Sequence, residues 1–497
     1  MRQDFYNDEK ELLECFLERD VLHHSWSFAQ LSEGNGAELD AMITTGIELI
    51  VRPECNQKCE YCYIARHGHE LYPINERLNK EQILHNIQLI LDFFFDEKKL
   101  YIYHWELFAG DLFYDNIFFD ILDLFYEKMS KYQKLYPRAF QNNRGLILTP
   151  CNFSFIDNEE QTQKVKDYIA KFDKDLNVEI GLSISTDGKY GVSTRENRPL
   201  PDDHFDKLFQ WTLEYPRNGF HPIISASNVE NAIKNYEWWK EMYDKYYGND
   251  RDKLPDILPY WLEARNDEWT EDKIQAFEAL LEHMVKDRLA MCNNDINHFA
   301  YHLFNGDGAN GTLPGFVNLD LISVQGNLDE SVIQNIGCSL SGLTVINVSN
   351  MTFVPCHRLT YKQFQGAKFQ IENDKIVDII PSNVCTYINV KTHPNNVHPR
   401  CNACIYNVMC HKGCLGAQFE SSGELFLPCR SVCELQKRIA RKLLTLYKEM
   451  GVLKAASDNH LLVKELYVIY DAILKDAEDV EYDKQRNSSP DAAPGCR

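Results

Sequence analysis

From residue 46 onward, short continuous apolar runs alternate with longer stretches in which apolar positions recur every three or four residues. GIELIVRP precedes KEQILHNIQLILDFFF, KLYIYHWELF precedes NIFFDILDLFYEKM, and RGLILTP precedes EEQTQKVKDYIAKF. VEIGLSIST then precedes DHFDKLFQWTLEY, FHPIISAS precedes NVENAIKNYEWWKEMY, and ILPYWLEAR precedes TEDKIQAFEALLEHMVKD. The short runs have the character of strands buried on both faces, and the longer ones the period of helices with one buried face. Alternation of this kind predicts an α/β fold in which crossover helices join a parallel sheet. Right-handed crossovers wind such units into an open doubly wound sheet or a partial barrel, and periodicity does not choose between them. In both, binding residues belong at the carboxyl ends of the strands.

Outside this region the pattern changes. Residues 1–44 begin as a helix and end as loop, which predicts a short N-terminal helical extension ahead of the α/β unit at 45–290. In the segment 291–437 the helical period fades into short strands with turns (GLTVINVSNMTFVPC, KFQIENDKIVDII) and then into a cysteine-dense loop region. Helices return at 438–478, and the polar tail at 479–497 has the composition of a disordered segment.

A chain of 497 residues exceeds the roughly 250 to 300 at which one core stops growing, so more than one packed unit is expected. The formal charge of −22 argues against a nucleic-acid partner, which needs Lys and Arg on phosphates. The N-terminus has neither the cationic start nor the apolar core of a signal peptide, and no run of about 18 apolar residues occurs. A cytoplasmic protein that does not enter the membrane is the expectation.

In a reducing compartment, the spacing of the 16 cysteines speaks for metal or iron-sulfur ligation before disulfides. Cys55, Cys59 and Cys62 form a CxxxCxxC triplet directly after the first strand, hence at the carboxyl end of the sheet. Three thiolates suit three corners of a 4Fe-4S cubane and leave one iron open. A zinc site completed by His67 or His69 is the alternative reading of the same spacing. Farther along, Cys401, Cys404, Cys410 and Cys414 follow a CxxCx5CxxxC pattern, Cys429 and Cys433 come next, and Cys338 and Cys356 bracket an expected hairpin. Zinc knuckles and iron-sulfur clusters both fit these spacings.

The run CNQKCEYCY, placed after the first of the alternating strands with Tyr61 in the aromatic slot, resembles the signature of the radical S-adenosylmethionine (radical SAM) superfamily. The resemblance implies a partial (β/α)6 TIM-like barrel whose open iron is chelated by the amino and carboxylate groups of S-adenosyl-L-methionine. It also implies roles for residues on the same rim. Ala109, Gly110 and Asp111 stand where the family shows Gly-Gly-Glu, which holds the methionine amino group, so the acid is kept but shortened. Ser185 and Asp187 in SISTDG resemble the Ser-x-Asp-Gly that helps hold ribose and methionine, and Arg195 stands where an arginine pairs with the carboxylate. Asn228 and Glu263 occupy the corresponding positions after the fifth and sixth strands.

The downstream cysteines resemble the SPASM extension of this superfamily, which implies a small cysteine-rich domain with two auxiliary 4Fe-4S clusters, followed here by C-terminal helices. Carried across, Cys401, Cys404, Cys410 and Cys433 hold the outer cluster, with Cys429 as the other choice for the last ligand. Cys338, Cys356 and Cys414 hold the inner one, which has an open iron or recruits Cys385.

What the resemblance implies for function is reductive cleavage of S-adenosyl-L-methionine to a 5'-deoxyadenosyl radical that takes a hydrogen from a peptide, most often a ribosomally made precursor. Crosslinking ranks first. Epimerisation or side-chain oxidation is the alternative, with Cys385 or Cys429 as the thiol hydrogen donor that epimerisation requires. His357 stands where sulfatase-maturing members carry an aspartate base and is a candidate base here. A low-potential electron donor such as flavodoxin or ferredoxin is implied as a partner. A separate leader-recognition protein, or direct leader binding to the barrel rim or the C-terminal helices, is implied as well, because the N-terminal extension is shorter than a folding domain. A non-catalytic zinc-ribbon interaction protein is the reading from another class.

Overall fold

The computed structural model describes residues 9–17, 26–27, 46–98, 100–142, 144–191, 200–248, 261–262, 269–304, 343–392, 401, 403–410, 414–425, 427 and 430–487. Arg195, Glu263, Cys338 and Cys429 lie outside the described residues. The fold is α/β with a central parallel sheet. Its strands in chain order are β1 (Gly46–Arg52), β2 (His104–Ala109), β3 (Gly145–Cys151), β4 (Val178–Ile184), β5 (Ile223–Ile224) and β6 (Trp261–Leu262). β7 (Leu343–Asn347), β8 (Thr352–Val354), β9 (Ala367–Glu372) and β10 (Lys375–Pro381) follow. The helices used below are α1 (Glu9–Leu17), α2 (Tyr63–Leu71), α3 (Lys80–Asp92), α4 (Ile117–Leu135) and α5 (Glu159–Leu176). They continue with α6 (His204–Glu214), α7 (Ala232–Tyr246), α8 (Glu271–Met291), α9 (Ile296–Phe304), α10 (Val384–Thr392), α11 (Leu415–Ser422), α12 (Arg430–Glu449), α13 (Val452–Asp458) and α14 (Lys464–Asn487).

The chain divides into two compact units. The first comprises residues 1–222, 253–257 and 339–394 and contains an eight-stranded sheet of order β10-β9-β8-β7-β1-β2-β3-β4. β1 to β4 are parallel and adjacent in sequence order, as right-handed strand–helix–strand units require. Beyond β4 a parallel bridge joins Ile184 to Phe220. On the other side β7 runs parallel to β1, with Gly46 opposite Leu343 and Ile50 opposite Asn347. The strands expected to form a hairpin of the cysteine-rich segment therefore extend the same sheet, and β8, β9 and β10 continue it antiparallel.

Local sequence sets the boundaries of these elements. Asn79 and Gln82 form a reciprocal capping box at the start of α3, with bonds of 2.9 and 3.0 Å. Asn158 caps α5 by accepting from the Gln161 amide. Trp105 on β2 is fully buried, stacks on Phe95, meets Phe125 edge-on and donates its indole N–H to the Ile102 carbonyl. On the other face of the sheet, Ile50, Tyr63, Leu71, Tyr72, Leu343, Val345 and Val354 form one buried cluster that fixes α2 against β1, β7 and β8.

The second unit comprises residues 223–252, 258–338 and 395–497. β5 and β6 pair with each other in parallel. α8 lies along α12, where Arg438 makes a bidentate pair with Glu278 (2.8 and 3.0 Å) and Lys442 reaches Glu282 at 2.5 Å. α14 runs on to Asn487, into the tail for which disorder was expected; Glu, Lys, Gln and Arg there sustain a helix. Among the described residues no helix is long and apolar enough to cross a membrane.

At the end of β1 the register with β2 shifts, so that Ile50 faces Phe108 and Arg52 faces Ala109. Arg52 is only 5% exposed and holds Asp115 bidentately with two bonds of 2.6 Å. Asp115→Asn leaves that buried guanidinium without its counter-charge. Denaturant unfolding should show a loss of about 1–3 kcal/mol, and an unchanged midpoint would remove the pair from the set of anchors.

Candidate functional site

The CxxxCxxC loop has no sheet or helix of its own between Arg52 and Cys62, so its shape depends on what it is tied to. The Gly110 amide donates to the Arg52 carbonyl (2.9 Å) and the Asp111 amide to the Glu54 carbonyl (2.8 Å). Asn152, just past β3, donates to Asn56 Oδ1 (2.5 Å), and Asn56 in turn donates to Ser154 Oγ (3.2 Å). Tyr61 is buried and donates its hydroxyl to Asp187 Oδ2, past β4, at 2.7 Å. The start, middle and end of the loop are thus each held from the carboxyl end of a different parallel strand. The structure brings Tyr61, Gly110, Asp111 and Asp187 together around the triplet.

Within the loop, Cys55, Cys59 and Cys62 are half-buried and in no disulfide. Cys55 Sγ accepts from the Gln57 amide (3.3 Å), and Cys59 Sγ donates to Gln57 Oε1 (3.8 Å). Cys62 is the N-cap of α2, with its carbonyl accepting from Arg66 and its sulfur making no cap bond. Cys404, before the short helix Ile405–Met409, and Cys414, before α11, have nearly the same extended backbone and likewise leave the sulfur out of the cap.

The residues carried over from the resemblance fall into different environments. A Cβ on Gly110 would sit 2.2 Å from the Glu54 carbonyl oxygen and 2.4 Å from that of Pro53, so only glycine lets the two loops approach. Asp111 is 1% exposed; its Oδ1 accepts from the Phe113 amide, while its Oδ2 is buried without a hydrogen bond of good geometry. Burial pushes its carboxyl up to about 6, tempered by the Phe113 amide, Asn152 and Arg52. Ala109 is the last residue of β2. Ser185 is half-buried and its amide donates to the Cys151 carbonyl. Asn228 is occupied within its own turn, accepting from the Ser225 amide and donating to the Ile223 carbonyl. Of the two histidines either of which could complete a zinc site, His69 has a side chain 71% exposed, and His67 lies 3.9 Å from Glu70.

Sequence reasoning missed two acids on the inner face of the sheet. Glu48 on β1 and Glu106 on β2 are directly opposite in the parallel register. Burial, and then the charge of Glu48, push the Glu106 carboxyl up to about 8, so it carries its proton at neutral pH. His357 is joined to this pair, with Nδ1 3.1 Å from Glu48 Oε1 and its ring stacked on Phe108 at 3.8 Å. Arg358 is buried with its guanidinium 4.6 Å from the centre of the Tyr63 ring. The candidate base is therefore a histidine held by a buried carboxylate. The readable signal was a glutamate in the middle of each of two apolar strands, GIELIVR and HWELFA.

In the second unit Cys401, Cys404, Cys410 and Cys433 line a single pocket with Tyr406, Asn407, Val432, Gln436 and Lys437. Cys433 sits in the first turn of α12. Cys414 is not among the lining residues of that pocket. In the first unit Cys356 is half-buried after β8, and Cys385 is half-buried on α10. Among the described residues no three His, Cys, Asp or Glu side chains converge as a single bound ion requires.

No protein-family profile matches the chain, and no curated protein matches it. Among solved structures, Streptococcus suis SuiB bound to S-adenosylmethionine is similar at a TM-score of 0.41 and 13% identity, over 86% of this chain and 84% of that one. A second structure of SuiB gives a TM-score of 0.39 and 11% identity over the same shares.

Gly110→Ala should lower stability by about 1–3 kcal/mol through the forced separation of two backbones, read as a drop in melting temperature; an unchanged melting temperature would refute the close approach. Asp111 supplies a pH-dependent test on the protein without cofactor. Its folded pKa lies above that of the unfolded chain, so its contribution to stability falls as pH rises from about 4 through about 6. The Asp111→Asn variant should therefore gain on the wild type between pH 5 and pH 8, by about 1–2 kcal/mol in denaturant unfolding. A pH-independent difference would show that the carboxyl is solvated.

Proposed function

We propose that this protein is a radical SAM enzyme with auxiliary iron-sulfur clusters that modifies a peptide, most readily by forming a crosslink. The observation that carries the reading is the attachment of the CxxxCxxC loop to the carboxyl ends of β2, β3 and β4, with a buried, incompletely bonded carboxylate beside it. The residues fit the implied groups. Three thiols on one loop suit three irons of a 4Fe-4S cluster, and Asp111 Oδ2 is an acceptor that an amino group would satisfy. The four cysteines around one pocket suit the outer auxiliary cluster and favour Cys433 as its last ligand.

Bound there, the cluster and S-adenosyl-L-methionine supply a 5'-deoxyadenosyl radical for hydrogen abstraction. The chain's own part is to bind, orient and handle protons. Cys55, Cys59 and Cys62 hold the cluster, and Asp111 receives the amino group of S-adenosyl-L-methionine. Tyr61 and Asp187 fix each other and so fix the last turn of the loop ahead of Cys62. Gly110 lets the β2 rim close on the cysteine loop. On the inner face, Glu106 holds a proton on its carboxyl at neutral pH, and His357 is oriented through Nδ1 by Glu48. These groups can take up or return a proton when a peptide C–H is replaced by a new bond. A low-potential electron donor such as flavodoxin or ferredoxin, and a separate leader-recognition protein, complete the proposal.

Anaerobic reconstitution with iron and sulfide is the test. About twelve irons per chain is expected for three 4Fe-4S clusters, with 5'-deoxyadenosine formed on adding dithionite and S-adenosyl-L-methionine. Cys59→Ala should abolish nucleoside formation. About four irons would overturn the auxiliary clusters while leaving the first, and a colourless protein containing zinc would overturn the whole reading.

A further inference from the structure

The pocket lined by Cys401, Cys404, Cys410 and Cys433 also contains two carboxamides whose burial the fold does not otherwise explain. Gln436 lies one turn after Cys433 on α12 and is 6% exposed; Asn407 lies between Cys404 and Cys410 on the short helix Ile405–Met409. Gln436 Oε1 and Asn407 Oδ1 are both buried with no hydrogen-bond partner. Among the described residues neither side chain makes a hydrogen bond at all. Leaving such a group unsatisfied costs about 1–3 kcal/mol, so two on one pocket point to something absent from the protein chain.

The rest of the lining narrows what that is. Val432 and Tyr406 are apolar or aromatic, and among the described residues Lys437 is the one charged side chain and no carboxylate lines the pocket. The oxygen and nitrogen of a carboxamide are distinguished by their hydrogen bonds, and with none made each group can present its NH2 to the pocket by a half-turn. A cluster bound by four thiolates is rich in acceptor sulfurs and carries negative charge, so it lacks what these two groups offer. Hydrogen bonds to cluster sulfurs and nearby charge are established determinants of potential. Reduction adds an electron to the cluster, so donors stabilise the reduced form more than the oxidised one.

We propose that Gln436 and Asn407 donate N–H···S hydrogen bonds to the cluster held by Cys401, Cys404, Cys410 and Cys433, and thereby raise its reduction potential. The proposal rests on the reading that these cysteines hold an iron-sulfur cluster, and it assigns the two carboxamides as tuning residues rather than ligands.

The test uses full-length protein, reconstituted anaerobically, in a background in which Cys55, Cys59 and Cys62 are replaced by Ala to remove the first cluster. Gln436→Met and Asn407→Leu, singly and together, are titrated with reductant and followed by electron paramagnetic resonance. The midpoint potential of the outer cluster should fall in each single variant and further in the double, with iron content unchanged. In deuterated buffer, pulsed resonance of the reduced cluster should show exchangeable deuterons that each variant loses in part. A merely structural role would lower iron content without moving the potential of the cluster that remains. If Gln436→Met does not load, Gln436→Glu keeps the volume and removes the donor, and its potential should fall as well. Unchanged potentials and deuteron couplings on an intact cluster would overturn the tuning role alone. Failure of the wild-type pocket to take up iron, shown by an iron content that Cys401→Ala does not change, would overturn the cluster reading and the tuning role together.

Discussion

The structure around the first cysteine triplet depends on hydrogen bonds that a loop receives from strand ends it does not belong to. Between Arg52 and Cys62 the chain must present three thiols in a fixed arrangement, and ordering each residue costs backbone entropy of about 1–2 kcal/mol. The loop has no ladder to offset that cost. Asp111 on Glu54, Asn152 on Asn56 and Tyr61 on Asp187 supply the constraint instead, each from a separate element of a rigid parallel sheet. Because β2, β3 and β4 are neighbours in register, their carboxyl ends are fixed relative to one another, and so are the three anchor points. The same parallel topology places Glu48 and Glu106 side by side and makes their interaction unavoidable. One of the two must then hold a proton more firmly, as coupled buried acids do.

The strand–helix alternation was legible because buried strands and amphipathic helices have different apolar periods, and β1 to β4 fall where those runs lie. The cysteine loop was legible from spacing and from its place after β1. Partners across the sheet were not. Nothing local in GLTVINVSN states that Leu343 pairs with Gly46, since a short apolar run carries no record of which distant edge it joins. The inner acids were hidden for a related reason. A glutamate in a strand reads as a solvent-facing position, and only the register of two strands far apart in sequence sets Glu106 directly opposite the buried Glu48. Asn228 was legible as a rim position, but not the hydrogen bonds that tie its carboxamide into the 223–228 turn.

Where buried polar groups lack partners, the chain itself says something about what it was shaped to hold. Asp111 Oδ2 next to the first cysteine loop calls for a donor. Gln436 and Asn407 around the outer cysteines are amides that can donate to acceptors. Under the proposed reading an amino group would meet the first need and a sulfur-rich anionic cluster, with the two amides turned, the second.

The arrangement of the outer cysteines bears on zinc as well. A zinc ion draws its sulfurs to about 2.3 Å of one centre, which requires the side chains to converge on a point. Cys401, Cys404, Cys410 and Cys433 line one pocket. A cubane gives each thiolate its own iron and so spreads the sulfurs over a body of several atoms. The reading of the outer site as a cluster rather than a zinc ion is a proposal that rests on four cysteines lining one pocket.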